Sequence, residues 1–93
     1  MVSPREDNYY STYDSTFTTD IILDVRSSIG QNAIYAEIYN FGAGDIIMQI
    51  QSSKTFGNKH MLKAGTITKI ERNIDKIRLE HSGTDSGYSV WAE

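Results

Sequence analysis

The sequence has 93 residues, a formal net charge of -3, seven glycines, one proline and no cysteine. That length allows one domain with a modest core, and the lack of cysteine excludes disulfide staples and thiol chemistry. The charge lacks the basic excess of a nucleic-acid binder, the first 30 residues hold no apolar stretch of signal-peptide type, and no apolar run approaches the ~18 residues of a membrane helix, so neither nucleic acid nor membrane is expected as a partner.

Residues 1–16, MVSPREDNYYSTYDST, read as a flexible N-terminal arm. The segment carries the sole proline and no aliphatic residue after Val2, so it cannot by itself bury enough apolar surface to offset its ordering entropy. It nevertheless holds Tyr9, Tyr10 and Tyr13, which an inert linker would lack, and these become candidate protein-contact residues. Tyr9, Tyr13 and Phe17 lie four residues apart, a spacing that allows one helical turn, against the preference of the surrounding Ser and Thr. The first 20 residues set Arg5 against Glu6, Asp7, Asp14 and Asp20, so the acidity of the chain belongs to this end.

From Phe17 onward the apolar period is two, which is that of strands. In FTTDIILDV, Phe17, Ile21, Leu23 and Val25 share a face; RSSIGQN turns the chain. In AIYAEIYNF, Ile34, Ala36 and Ile38 face one way and Tyr35, Glu37, Tyr39 and Phe41 the other. Gly42-Ala43-Gly44 reads as the turn of a hairpin whose second strand carries Ile46, Met48 and Ile50 on one face. After the loop SSKTFGNKH, MLKAGTITKIER reads as two short strands about an Ala64-Gly65 turn. NIDKIRLEH alternates with Ile77 and Leu79 inward, and YSVWAE places Tyr88 and Val90 opposite Trp91. Glycine recurs in the connections, where tight turns call for it. The expectation is an all-β fold: a small antiparallel β-sandwich or jelly-roll-like barrel of six to seven short strands over residues 17–93, behind an extended N-terminal arm. Its expected core is Ile21, Leu23, Ile34, Ile38, Ile46, Met48, Ile50, Ile77, Leu79 and Val90.

The motifs that carry chemistry are weak. Thr84-Asp85-Ser86-Gly87 has the aspartic-protease signature, but that chemistry needs two aspartates sharing a proton, and a turn between two strands explains the segment. His60 and His81 have no second ligand at metal-binding spacing. FGAGD opens no helix, as a phosphate-cradling loop would. The expectation is a chain that is not an enzyme, with no cofactor, no metal and no small-molecule substrate. What remains is surface: Tyr35, Tyr39, Phe41 and Trp91, together with Ile22 and Ile47, lie on strand faces that should be polar if solvated, and apolar patches of this kind mark protein contacts.

The stretches YNFGAGDIIMQIQSS, LKAGT and DKIRLEHSGTDSGYSV, within residues 33–93, resemble the small β-sandwich accessory and decoration proteins of tailed-bacteriophage virions. The resemblance implies a structural protein of a virion, assembled in the host cytoplasm, with two kinds of partner: copies of itself, a trimer being one arrangement, and a larger protein assembly such as a capsid. In such families a terminal arm becomes ordered on the shell, and no catalytic residue carries over. The alternative expectation is a carbohydrate-type binding module that uses Trp91 and the tyrosines as a stacking platform.

Overall fold

A computed structural model describes residues 9–93. The fold is an antiparallel sandwich of two four-stranded sheets. In chain order the elements are β1 (Tyr10–Phe17), β2 (Ile21–Leu23), α1 (Val25–Ile29), β3 (Ala36–Asn40), β4 (Ile46–Gln51), β5 (His60–Leu62), β6 (Thr66–Ile70), β7 (Lys76–His81) and β8 (Ser86–Ala92). The front sheet runs β1-β8-β3-β6 and the back sheet β2-β7-β4-β5. Successive strands thus alternate between sheets, apart from β4 and β5, which pair as neighbours; this is the order of a jelly roll.

Period two builds the core. Ala36 and Ile38 of β3, Ile46, Met48 and Ile50 of β4, Ile77 and Leu79 of β7, and Tyr88, Val90 and Ala92 of β8 all lie buried between the sheets. Two expected core residues do not join them. Ile34 is 52% exposed, because β3 begins only at Ala36 and the neighbouring Ala33, bridged to Ile74, takes the buried place. Ile21 is 37% exposed at the outer edge of the back sheet, where β2 has a neighbour on one side only.

Further expectations are corrected by the fold. The arm does not extend to residue 16: Tyr10–Phe17 form β1, paired along β8 from Tyr10↔Ala92 to Phe17↔Ser86, and the remainder of that expected arm, residues 1–8, lies outside the described residues. β8 supplies the backbone partners that the polar YSTYDST segment needs, so its ordering does not depend on its own apolar content. Strand β1 also rules out the helical turn. Asp14 pairs with Tyr88 and Phe17 with Ser86, so one extra residue is accommodated between them. This bulge turns Phe17 inward, whereas strict alternation would have put it on the outer face with Tyr13. The Asp14 carboxylate accepts the Thr16 N–H at 2.9 Å within the bulge.

The hairpin expected at Gly42–Gly44 does not form either, since β3 and β4 lie in different sheets. The connection crosses the end of the sandwich. Asn40, fully buried, holds it there: its Nδ2 donates to the carbonyls of Gly44 (2.9 Å) and Leu62 (2.8 Å), and its Oδ1 accepts from the Gly42 N–H (3.3 Å) and the Ser86 hydroxyl (2.6 Å). The glycines are required by close approach: a Cβ on Gly42 would strike the Gly87 backbone nitrogen, and one on Gly44 the Thr84 carbonyl oxygen. Finally, most of α1 falls in RSSIGQN, beginning one residue earlier at Val25; it is capped by the Asp24 side chain, which accepts the Ser27 N–H at 3.1 Å, and closed by Gly30 in the left-handed region at φ 79°. There are therefore eight strands and one helical turn among the described residues, against the six to seven strands expected.

Candidate protein-docking face

The outer faces of the two sheets differ in chemistry. The outer face of the back sheet mixes charge with apolar groups: Ile22 and Met61 are exposed on it, in register with Arg78 and Ile47, while Arg78 contacts Asp20 and Glu80 (both 3.5 Å), Lys59 contacts Glu80 (3.3 Å), and Gln49 accepts from Arg78. The basic residues that cluster between 54 and 80 are mostly neutralised in this way; Lys63 contacts Asp45, Lys69 contacts Glu37, and Lys76 contacts Asp75.

The front sheet is aromatic. Its register sets Tyr13 against Ser89, Ser89 against Tyr39, and Tyr39 against Ile67, a row that crosses all four strands on the outer side. Tyr13 is 67% exposed, Tyr39 41% and Ile67 61%. The next row along the strands is Ser11, Trp91, Glu37 and Lys69. Phe41, just beyond β3, donates its N–H to the Gly87 carbonyl (3.1 Å) and lays its ring over Gly87. There it stacks on Tyr13, with centroids 5.2 Å apart and planes 13° from parallel, and meets Tyr39 at 5.7 Å. At the other end Trp91 packs against Tyr9 (6.1 Å) and, edge to face, against Tyr35 (6.3 Å). The absence of a side chain at Gly87 makes the first cluster possible, since a Cβ there would lie 2.7 Å from the Phe41 ring.

Of the residues singled out by sequence, Tyr9, Tyr13, Tyr35, Tyr39, Phe41 and Trp91 thus gather on one face in two aromatic groups. Tyr10 does not. It pairs with Ala92, an inward position of β8, and packs against the core, where burial raises its hydroxyl pKa. Ile67, which sequence reading did not single out, completes the row; it sits outward in the strand TITKI, and its alternation with Thr66 and Thr68 carried that signal.

The remaining polar groups are dispersed. His81 Nε2 lies 2.9 Å from Asp85 Oδ1 in the β7–β8 connection, with the Phe17 ring beside it. His60 opens β5 at the opposite edge of the back sheet. Among the described residues, no group of three or more His, Asp or Glu side chains is placed to hold a metal ion. No helix among them is long and apolar enough to cross a membrane.

No family model matches the chain, and no curated protein matches it in sequence. Solved structures do match. The C-terminal domain of A223, a structural protein from Sulfolobus turreted icosahedral virus, is 15% identical over 92% of this chain and 95% of that one, with a TM-score of 0.53. The Drosophila melanogaster CENP-C cupin domain is 7% identical over 91% of this chain and 59% of that one, at 0.55. Hydroxypropylphosphonic acid epoxidase from S. wedmorenis is 8% identical over 89% of this chain and 35% of its own length, at 0.47. The chain thus spans about a third to three fifths of the length of several solved chains it matches. These likenesses are of fold. One expectation is corrected: fold alone does not decide function, and with an epoxidase among the matches the reading of the chain as not an enzyme is withdrawn. No activity passes to this chain at that identity.

Proposed function

We propose that this chain is a structural protein of a virus particle, and more finely an accessory or decoration protein of a tailed-phage virion, which associates with copies of itself and lies on a larger protein lattice such as a capsid. The observation that carries the reading is the aromatic cluster on the front sheet's outer face, where Tyr13, Tyr39 and Ile67 share one register row and Phe41 stacks on Tyr13 and meets Tyr39, whereas the exposed Ile22 and Met61 of the other face stand apart among ion pairs. Such a face is the composition of a contact core, with aromatics enriched and charge confined to the Glu37–Lys69 pair. Support of a weaker kind comes from the fold likeness to the viral A223 domain, which this chain matches over nearly the whole of both lengths. Sugar stacking fits less well, because Trp91 is half-buried and has the rings of Tyr9 and Tyr35 against it.

The test is co-sedimentation of the purified chain with particles made by the genome that encodes it. The chain should pellet with them, and Tyr39→Ser combined with Phe41→Ser should leave it folded in the supernatant. A wild-type chain that stays in the supernatant, or a double variant that still pellets, sinks the reading.

A further inference from the structure

A sheet with open edges invites pairing with other chains, and proteins usually guard those edges. Three of the four edges here are guarded. β1 carries the bulge between Asp14 and Phe17, and β2 and β5 are three residues long. β6 is different. Its five residues, TITKI, hold an unbroken register on β3 from Asn40↔Thr66 to Ala36↔Ile70, with β-branched side chains and no proline. Its one charge, Lys69, leans back to Glu37 on its own sheet at 4.0 Å. Along its free side the two sheets part in a cleft of about 380 Å³, lined by Met48, His60 and Leu62 of the back sheet and by Thr68 and Ile70 of β6 itself.

We propose that this edge pairs antiparallel with the same edge of a second copy, about a two-fold axis at Thr68. The inference rests on the self-association in the reading above and names its geometry. The occupant is a second copy because the strand is complementary to itself: in this register Thr68 faces Thr68, Thr66 faces Ile70, and Ile67 faces Lys69, so no like charges oppose and the lysine stem lies along the isoleucine. The inward residues of the incoming strand fall over the cleft. The two front sheets become one of eight strands, and their aromatic faces become continuous. That matters for docking. One face, four strands at ~4.8 Å spacing by about six residue steps, offers roughly 400 Å² of flat area, about half the ~800 Å² per partner of a standard interface. Two copies side by side reach it.

The test is solution mass by light scattering and sedimentation, on wild type, Ile67→Lys and Ile67→Glu, each checked for folding by circular dichroism. Ile67 is 61% exposed, so neither change disturbs the core. Wild type should be a dimer. Ile67→Lys sets two lysines against each other twice and should weaken the dimer at least about tenfold; Ile67→Glu sets a carboxylate against Lys69 and should keep it. If both variants are monomeric, the apolar face rather than the edge holds the copies, and the edge pairing is overturned. A monomeric or trimeric wild type, or a dimeric Ile67→Lys, overturns it too. Loss of particle binding by the Tyr39, Phe41 double variant while its dimer persists would separate the docking reading from this one.

Discussion

The Ser86 hydroxyl donates to the Asn40 side-chain oxygen at 2.6 Å, and through that bond β8 is tied to the crossover between the sheets. Both donors and both acceptor positions of the buried Asn40 amide are used, on four different residues. Asn40→Ala strands the carbonyls of Gly44 and Leu62 in the interior and should cost about 3 kcal/mol. Ser86→Ala leaves Asn40 Oδ1 still accepting from Gly42 and should cost only ~1 kcal/mol. Urea denaturation of the two variants checks the order; a Ser86→Ala loss equal to or above that of Asn40→Ala would break the account of Asn40 as the anchor.

Phe41 and Gly87 make a second coupled pair. A methyl at position 87 lies 2.7 Å and 2.9 Å from two atoms of the Phe41 ring and 3.2 Å from the Asp14 carbonyl. Gly87→Ala should therefore cost about 1–3 kcal/mol by overpacking, and much less in a Phe41→Ala background, where the ring is gone. A double-mutant cycle measures this. Additive losses would mean that the ring does not depend on the glycine.

The parts of this fold legible in sequence were those with clean alternation. AEIYN, IIMQIQ, KIRLEH and SGYSVWA show their inner faces directly, and the aromatic face followed from Tyr35, Tyr39, Phe41 and Trp91 as the residues left over. What stayed hidden depended on partners far along the chain. β1 looks like a polar linker until β8 supplies its hydrogen bonds, and the bulge that separates the inward Phe17 from the outward Tyr13 leaves no mark in the local pattern. Gly42 and Gly44 carry the composition of a hairpin turn but answer to a steric demand from the 84–87 segment, 40 or more positions away, which local pattern does not encode. The helix Val25–Ile29 is too short to show a period of 3.6.

Two apolar residues that looked equivalent by alternation should now separate. Leu79 is fully buried and Ile34 is half exposed. Leu79→Ala should cost about 2–5 kcal/mol through the cavity it leaves, whereas Ile34→Ala should stay within about 0.5 kcal/mol as a surface change. Thermal or chemical unfolding of both variants settles it; similar losses would place Ile34 in the core after all.

Tyr88 makes the stability of the domain sensitive to alkali. It is buried among the inner faces, and burial first, then the nearby Asp14 and Tyr10, raise its hydroxyl above the ordinary phenol value. The folded chain therefore holds this proton more tightly than the unfolded chain. Below the unfolded value of about 10 both states are protonated and the full stability is present. As pH rises past it the unfolded state loses the proton first, so stability falls, by up to about 1.4 kcal/mol per pH unit for one group, until the folded value is passed. Tyr10, raised by burial in the same way, adds to the fall. Tyr88→Phe keeps the ring against Phe17, which it meets edge to face at 5.5 Å, and removes the ionisable group. Unfolding free energies measured at steps between pH 8 and pH 11 should decline less steeply for this variant than for wild type above about pH 10. Parallel declines would show that Tyr88 ionises as easily in the folded chain as in the unfolded one, and that its place between the sheets is wrong.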